Sequence, residues 1–309
     1  MTHRKAVFLM VLVTLLWSTA GVVTRHLEAA RSFEITFWRS AFNALTLMVA
    51  LRWMRGAAFW GQLRRAPRVV WWSGLCWGVM YTAFMLALTL TSVANVLVTM
   101  ALGPLLTALF ARVFLHHRLP ARTWAAIGLA SGGIAWMFGR EMQGSPGSLA
   151  GMAIAFAVPV AAASNWTLLQ HQRAHVDRHA GSGNAAPDML SAVLLGALIS
   201  ALVTLPLAWP MQASAHDLGL LALLGATQLA LPCLLVVALA RVLPAPELAL
   251  LGLLEVLFGV LWAWLGAGEI PSSSALSGGA MVLAALIGNE LLGLWTRPPA
   301  SRTTPRSNL

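Results

Sequence analysis

Long apolar runs alternate with short polar gaps along almost the whole chain. A helix needs roughly 20 apolar residues to cross a bilayer core about 30 Å thick. The runs lack the strict alternation of a barrel strand, so the pattern predicts α-helices. The predicted spans are 6–24, 33–52, 69–90, 94–115, 122–139, 148–170, 188–209, 217–240, 247–266 and 274–296. We therefore expect an all-α membrane protein with ten transmembrane helices.

The composition is typical of a protein that lies mostly within a lipid bilayer. Of 309 residues, 59% are hydrophobic and 10% are charged, whereas soluble domains contain roughly 25% charged residues. Apolar segments recur as far as residue 296, so we expect no separate soluble domain. The pattern excludes a soluble enzyme carrying a single anchor.

The formal net charge of +10 would suggest a nucleic-acid partner in a soluble protein. Here the basic residues lie mostly in short gaps between apolar runs and form no nucleic-acid-binding motif. With the N-terminus inside, 15 lysines and arginines fall on the cytoplasmic side and 3 on the other. This asymmetry predicts that both termini are cytoplasmic.

The two halves of the chain carry related segments. The stretch 103–120, GPLLTALFARVFLHHRLP, has a counterpart at 254–271, LEVLFGVLWAWLGAGEIP. An offset of about 150 residues superposes helices four and five on helices nine and ten. Because five is an odd number, the second copy enters the membrane from the opposite side. Such inverted repeats place a substrate site at their interface near the bilayer midplane.

The predicted repeats are two five-helix units joined by a short polar linker. They cover 6–139 and 148–296, and the linker is 140–147, REMQGSPG. Residues 297–309 are rich in Pro, Ser and Arg, and we expect them to form a disordered cytoplasmic tail.

Four segments together resemble a known family. They are LLWSTAGVVTRHL in helix one, TFWRSAFNA in helix two, SVANVLVTMALGPLLTALFARVFLHHRLP through helix four and LLEVLFGVLWAWLGAGEIP through helix nine. In this order they resemble the EamA-like ten-helix permeases of the drug/metabolite transporter superfamily, over about residues 6–296. The resemblance implies metabolite or drug efflux, as in bacterial members.

Several individual positions follow the family pattern and others depart from it. The usual residue types occur at Trp17, Arg39, Pro104, Glu255 and Glu269. The departures are Ser18 for a usual Gly, Val256 for a usual Pro and His117 for a usual Glu. The change at His117 argues against a symmetric pair of acids at the ends of the two repeats.

Glu255 is the strongest candidate for a transport residue. It lies about eight residues into predicted helix nine, roughly 12 Å from its start. A charged group at such depth is costly, which makes the residue a functional candidate by default. Gly252 and Gly259 share its helix face and would permit close helix contact. The alternative is a protonated, hydrogen-bonded packing residue.

Arg39 and Asn43 lie one turn apart on helix two. The planar guanidinium of Arg39 could bind a substrate carboxylate, or it could extend to the interface or pair with Glu34. If Arg39 and Glu255 both reach the repeat interface, a zwitterion such as an amino acid would satisfy both charges. If they pair with each other, the cavity would suit hydrophobic cations or neutral compounds.

Further polar residues in the apolar runs have weaker claims. Glu290 could exchange protons, or it could be hydrated from the cytoplasm. Asn95, Asn165 and Gln228 could bind substrate, although hydrogen bonding between helices is the simpler interpretation. The stretch 171–179, HQRAHVDRH, has histidines at metal-binding spacing, but its arginines indicate a solvated segment.

The leading functional hypothesis is a secondary transporter of the cell inner membrane. It would export small metabolites, amino acids or drugs by alternating access, driven by a proton or substrate gradient. The sequence contains no GxxxxGK[ST], HExxH or GxSxG motif, so we expect no cofactor or metal and no enzyme activity. The alternative is a membrane interaction or sensory protein with the same fold.

Overall fold

The computed structural model describes residues 2–56, 59–114, 120–141, 146–178, 189–239, 242–243, 251–252 and 254–295. Every long regular element in these ranges is a helix, and no strand occurs in them. The helices are α1 (His3–Thr24), α2 (Ser32–Arg55), α3 (Phe59–Arg64), α4 (Arg68–Leu90), α5 (Val93–Met100), α6 (Gly103–Phe114), α7 (Ala121–Glu141), α8 (Pro146–Arg178), α9 (Met189–Ala208), α10 (Ala215–Leu223), a π-helical segment (Leu224–Ala230), α11 (Leu231–Leu239), α12 (Leu254–Ala267) and α13 (Ser273–Trp295).

Six helical stretches in the described ranges are long and apolar enough to cross a membrane. They are His3–Thr24, Arg68–Leu90, Val93–Phe114, Ser148–Leu168, Met189–Ala208 and Ala215–Val236. Shorter apolar stretches occupy Leu254–Ala267 and Ser273–Asn289. The prediction of an all-α, multi-pass membrane protein is therefore confirmed. Residues 142–145 of the predicted linker and the tail 297–309 lie outside the described residues.

Two predicted spans are not the continuous α-helices that the sequence suggested. The span 94–115 consists of α5 and α6, with a turn at Ala101 and Leu102. Pro104 lies in the first turn of α6, where its missing N–H costs least. The span 217–240 contains the π-helical segment between α10 and α11. Hydrophobicity alone cannot reveal either interruption, because both leave the apolar run intact.

Helices from the two predicted halves pack directly on each other. The strongest such contacts join α4 to α8 and α9, α2 to α9, α7 to α13 and α1 to α12. Gly196 of α9 lies so close to α4 that an added Cβ would be 3.0 Å from the Gly78 nitrogen and 3.1 Å from the Gly74 oxygen. Small residues therefore allow backbone-to-backbone packing at this contact, as is usual between membrane helices.

Two buried carboxylates tie the loop after α1 to the region between α9 and α10. Asp217 accepts hydrogen bonds from the backbone N–H groups of Glu28, Ala29 and Ala30 at 2.9–3.0 Å. It also completes a capping box with Ser214 at the start of α10. Glu34, which is fully buried, accepts from the backbone N–H groups of Gln212 and Ala213. Each acid thus satisfies backbone donors from a distant part of the chain.

An ion pair closes the same end of the bundle. Arg25 Nε lies 2.8 Å from Glu269 Oε2, and the other guanidinium nitrogens donate to the carbonyl oxygens of Leu88 and Thr91. Glu269 Oε1 accepts from the backbone N–H of Val93 at 2.6 Å. The ends of α1, α4, α5 and α12 are therefore held together by charge-assisted hydrogen bonds.

Replacing Asp217 with alanine should lower the free energy of unfolding by about 1.5–3 kcal/mol, the range for hydrogen bonds to a charged group, because Asp217 accepts from three backbone N–H groups of the loop after α1. Chemical unfolding of the detergent-solubilised protein measures this loss. His216→Ala is the matched control, since the neighbouring His216 side chain is exposed and we expect a change within about 0.5 kcal/mol. Equal stability of the two variants would show that Asp217 does not anchor the loop.

Candidate functional site

Arg39 is buried in the membrane-spanning region of the bundle. It follows Ser32, the first residue of α2, by about seven positions, or roughly 10 Å along the helix axis, and its exposed fraction is 1%. Its Nη2 and Nε atoms donate to Gln228 Oε1 at 2.9 and 3.3 Å. The guanidinium carbon also lies 5.5 Å from the centre of the Phe84 ring on α4, a favourable cation–π distance.

This environment corrects two of the interpretations considered for Arg39. The side chain does not extend to the interface, because it is almost fully buried. It does not pair with Glu34, because that carboxylate is occupied by the backbone between α9 and α10. A neutral amide, Gln228, accepts the hydrogen bonds of the arginine instead.

Gln228 lies in the π-helical segment and connects three elements. Its Oε1 accepts from Arg39 of α2, and its Nε2 donates to the carbonyl oxygen of Trp17 in α1 at 3.0 Å. Single π turns inside α-helices are frequent at functional sites. The sequence indicated only that Gln228 is an amide in an apolar helix, so its pairing with Arg39 could not be predicted.

Several buried polar atoms beside this link have no hydrogen-bond partner in the described part of the chain. They are Arg39 Nη1, both amide atoms of Asn43 and Trp38 Nε1. Arg39 and Asn43 are the pair that the sequence predicted to share a helix face, and Asn43 is fully buried. Buried polar groups are nearly always hydrogen-bonded. The unpartnered atoms of Arg39 and Asn43, which share a helix face, are therefore candidate contacts for a ligand.

Glu255 of α12 lies within electrostatic range of Arg39 and Cys233. Its side chain is partly accessible. It makes no ion pair or hydrogen bond with another described residue, so the direct Arg39–Glu255 pair considered from the sequence does not form.

The glycines expected near Glu255 differ in their surroundings. An added Cβ at Gly259 would collide with Leu97 of α5, so this glycine permits close helix packing. At Gly252 no atom of a described residue lies within 4 Å of such a Cβ. Within the described ranges, only the close contact at Gly259 is therefore present.

We define the central cluster as Trp17, Arg39, Asn43, Phe84, Gln228 and Glu255. It combines side chains of α2, α4, the π-helical segment and α12 with the backbone carbonyl of Trp17 in α1. Tyr81 and Cys233 border it and contact each other, with 3.7 Å between the hydroxyl oxygen and the sulfur. The cluster offers a cation, a carboxylate, amide groups and an aromatic face within one buried region.

Two other predicted site residues are not placed in this cluster. Asn95 is buried at the start of α5, where its Nδ2 donates to Thr91 Oγ1 at 3.1 Å and its Oδ1 has no partner among the described residues. The Glu290 side chain lies outside the described residues, and its neighbour Asn289 accepts a hydrogen bond from Thr123. The side chains of 171–179 and the residue His117 also lie outside them. In the described part of the chain no group of His, Cys, Asp and Glu could hold a metal ion.

The N-terminal part of the chain is similar to a recognised protein family. Residues 4–139 match the EamA-like transporter family. No curated protein matches the chain. A solved crystal structure superposes with a TM-score of 0.61 over 95% of this chain and 98% of its own, at 19% sequence identity, which is a likeness of fold. The match to this family covers the first of the two predicted repeats, which is less than half of the chain.

Proposed function

We propose that this protein is a secondary transporter of small metabolites and that the central cluster is its substrate site. One observation carries the proposal: Arg39 and Asn43, from one predicted repeat, present unpartnered buried polar atoms beside Gln228 and Glu255 of the other. Keeping such groups inside a membrane protein is costly. Substrate binding between two repeats is a function that justifies this cost.

The proposed architecture is ten crossings in two inverted five-helix repeats, with both termini in the cytoplasm of the cell inner membrane. The charge asymmetry supports it, and so do the contacts between helix ends. Arg25, Val93 and Glu269, all assigned to the outer side, meet at one end of the bundle. Thr123 and Asn289, assigned to the inner side, are hydrogen-bonded to each other.

Reporter fusions test this topology directly. A fusion at Leu309 should report a cytoplasmic position, and one within 140–147 should report the outer side. A tail on the outer side, or an inner linker, would contradict the inverted repeat.

The proposed mechanism is alternating access with export. In the present conformation the ion pair and the two buried carboxylates close the end that we assign to the outside. Release outward requires these contacts to separate, and the energy would come from a proton or substrate gradient. Glu255, and Glu290 near the inner end of α13, are the carboxylates that we propose for proton exchange.

Amino acids or related zwitterions are the substrates that the central cluster fits best. Arg39 Nη1 and the Asn43 amide could bind the carboxylate, and Glu255 could bind the ammonium group. Because Arg39 and Glu255 form no ion pair with each other, both charges are available to a substrate. Hydrophobic cations and neutral drugs are the competing substrate classes.

Comparing metabolites in the medium of overexpressing and deletion cells selects candidates, and counterflow into proteoliposomes tests each of them. We expect accumulation of at least one selected metabolite in vesicles that contain the protein, and none in empty vesicles. The alternative function, a membrane interaction or sensory protein, predicts no flux of any metabolite together with a stable cytoplasmic partner.

A further inference from the structure

We propose that Gln228 is an internal substitute for a ligand carboxylate, which displaces it from Arg39 and so releases the π-helical segment from α1. The inference rests on the proposed function, since it names the substrate class of the same site and the residue that responds to binding. Its basis is the chain of hydrogen bonds from Arg39 through Gln228 to the Trp17 carbonyl.

The geometry of the Arg39–Gln228 contact resembles half of an arginine–carboxylate pair. A single amide oxygen accepts from both Nε and Nη2, the edge of the guanidinium that a carboxylate would engage with two oxygens. The amide is neutral, so it leaves the charge of Arg39 without a partner at hydrogen-bonding distance. Nη1 has no partner at all in the described ranges. A ligand carboxylate would offer the guanidinium stronger hydrogen bonds than Gln228 does.

Asn43 provides the second polar group that such a ligand would need. Its amide lies one helical turn from Arg39, is fully buried and lies beside Tyr81. Neither amide atom has a partner of good hydrogen-bond geometry among the described residues. An amide beside an arginine can donate to the second oxygen of a carboxylate. The titratable groups that act on Arg39 among described residues are Tyr81, Cys233 and Glu255. Of these, Glu255 is the carboxylate, and it repels a simple anion but attracts the ammonium group of an amino acid.

Displacing Gln228 would have a structural consequence. Its Nε2 joins the π-helical segment to α1 through Trp17, and Gly225 brings that segment against the α2 backbone. When a ligand displaces Gln228 from Arg39, the bond from Gln228 Nε2 to the Trp17 carbonyl is the one that remains. With Arg39 no longer holding the Gln228 side chain in place, the contact between α1 and the π-helical segment weakens. Ligand binding in one repeat is thereby linked to a helix of the other.

Binding to the purified protein in detergent tests this proposal without any transport. The probes are the protein amino acids, their carboxamides and the corresponding deaminated acids, and the readout is the ligand-induced shift of the melting temperature. We expect at least one amino acid to stabilise the protein and its deaminated acid, which lacks the ammonium group that Glu255 attracts, to bind more weakly. The matching carboxamide should bind at least about tenfold more weakly than the amino acid.

Two substitutions at position 228 should have opposite effects. Gln228→Glu supplies a permanent carboxylate to Arg39, so the affinity for the stabilising acid should fall by about tenfold or more. Gln228→Ala removes the competitor, so the protein without ligand should melt at a lower temperature while the ligand-induced shift increases. Thr227→Ala is the control, because the Thr227 side chain is exposed and bonds only to its own helix.

The outcomes separate this proposal from the transport function. Equal binding of acid and carboxamide, no stabilisation by any acid, or equal loss of binding in both Gln228 variants would overturn the role of Gln228, and counterflow could still establish transport. Carboxylate-dependent binding with the opposite effects of the two variants, but without flux, would support the role of Gln228 and contradict the transporter function.

Discussion

Replacing Glu255 with glutamine should reduce transport at least about tenfold, since a hydrogen bond to a charged group is worth about 1.5–3 kcal/mol. Glutamine has nearly the same shape, so packing on α12 is kept. It cannot ionise, so it can neither attract an ammonium group nor exchange a proton. Counterflow and gradient-driven flux in proteoliposomes measure the two losses separately.

Glu28→Gln is the matched control for this variant. The Glu28 side chain is exposed in the loop after α1, and only its backbone bonds to Asp217. We expect unchanged transport in the control and normal yield of both proteins. Normal transport by Glu255→Gln across a range of pH would mean that Glu255 is a packing residue.

Replacing Gly225 with alanine should destabilise the protein and disconnect Gln228 from Arg39. An added Cβ would lie 2.6 Å from Phe42 Cβ, 2.7 Å from the Arg39 carbonyl oxygen and 2.8 Å from the Asn43 nitrogen. Two of these atoms are backbone and cannot rotate away, so the π-helical segment must separate from α2. Overpacking of this kind costs typically about 1–3 kcal/mol, which chemical unfolding in detergent would measure.

Gly219 in the preceding helix α10 is a glycine at which alanine should not lower stability. No atom lies within 4 Å of a Cβ added to Gly219 in α10. Gly219→Ala should therefore leave stability unchanged or raise it by up to about 1 kcal/mol, because alanine is the better helix former. If both variants were equally stable, the close approach at Gly225 would not be a requirement of the fold.

Features that depend on a single helix could be predicted from the sequence. The break between α4 and α5 follows from the length of the apolar run, since a single crossing cannot take up both helices. Arg39 and Asn43 share a face because they are four residues apart. Depth along a helix also follows from counting residues, which places Arg39 about six residues into helix two, but the count left open whether its side chain extends to the interface.

The partners of these residues could not be predicted, because they depend on the rotation of one helix against another. Gln228 lies on an almost uniformly apolar helix, which gives no signal for the face that meets α2. The π-helical segment changes that face again, since its turns are wider than α-helical turns. Asn95 resembled Asn43 in sequence, but its amide bonds to Thr91 at the end of the bundle.

The partners of the two buried carboxylates could not be predicted from the sequence either. Glu34 and Asp217 look like ordinary helix-start residues, where acids favour the helix dipole. Their main partners are backbone N–H groups from loops far away in the chain. Backbone donors leave no mark in the residue types, so neither contact has a sequence signature.

Counterflow with the charge of Arg39 removed tests most directly whether the central cluster is the substrate site of a transporter. Arg112 on α6 has an exposed side chain and supplies the matched control. We predict that proteoliposomes with the wild-type protein or Arg112→Gln accumulate a labelled metabolite, and that those with Arg39→Gln do not, at equal protein content. Equal accumulation with Arg39→Gln would show that the central cluster is not the substrate site.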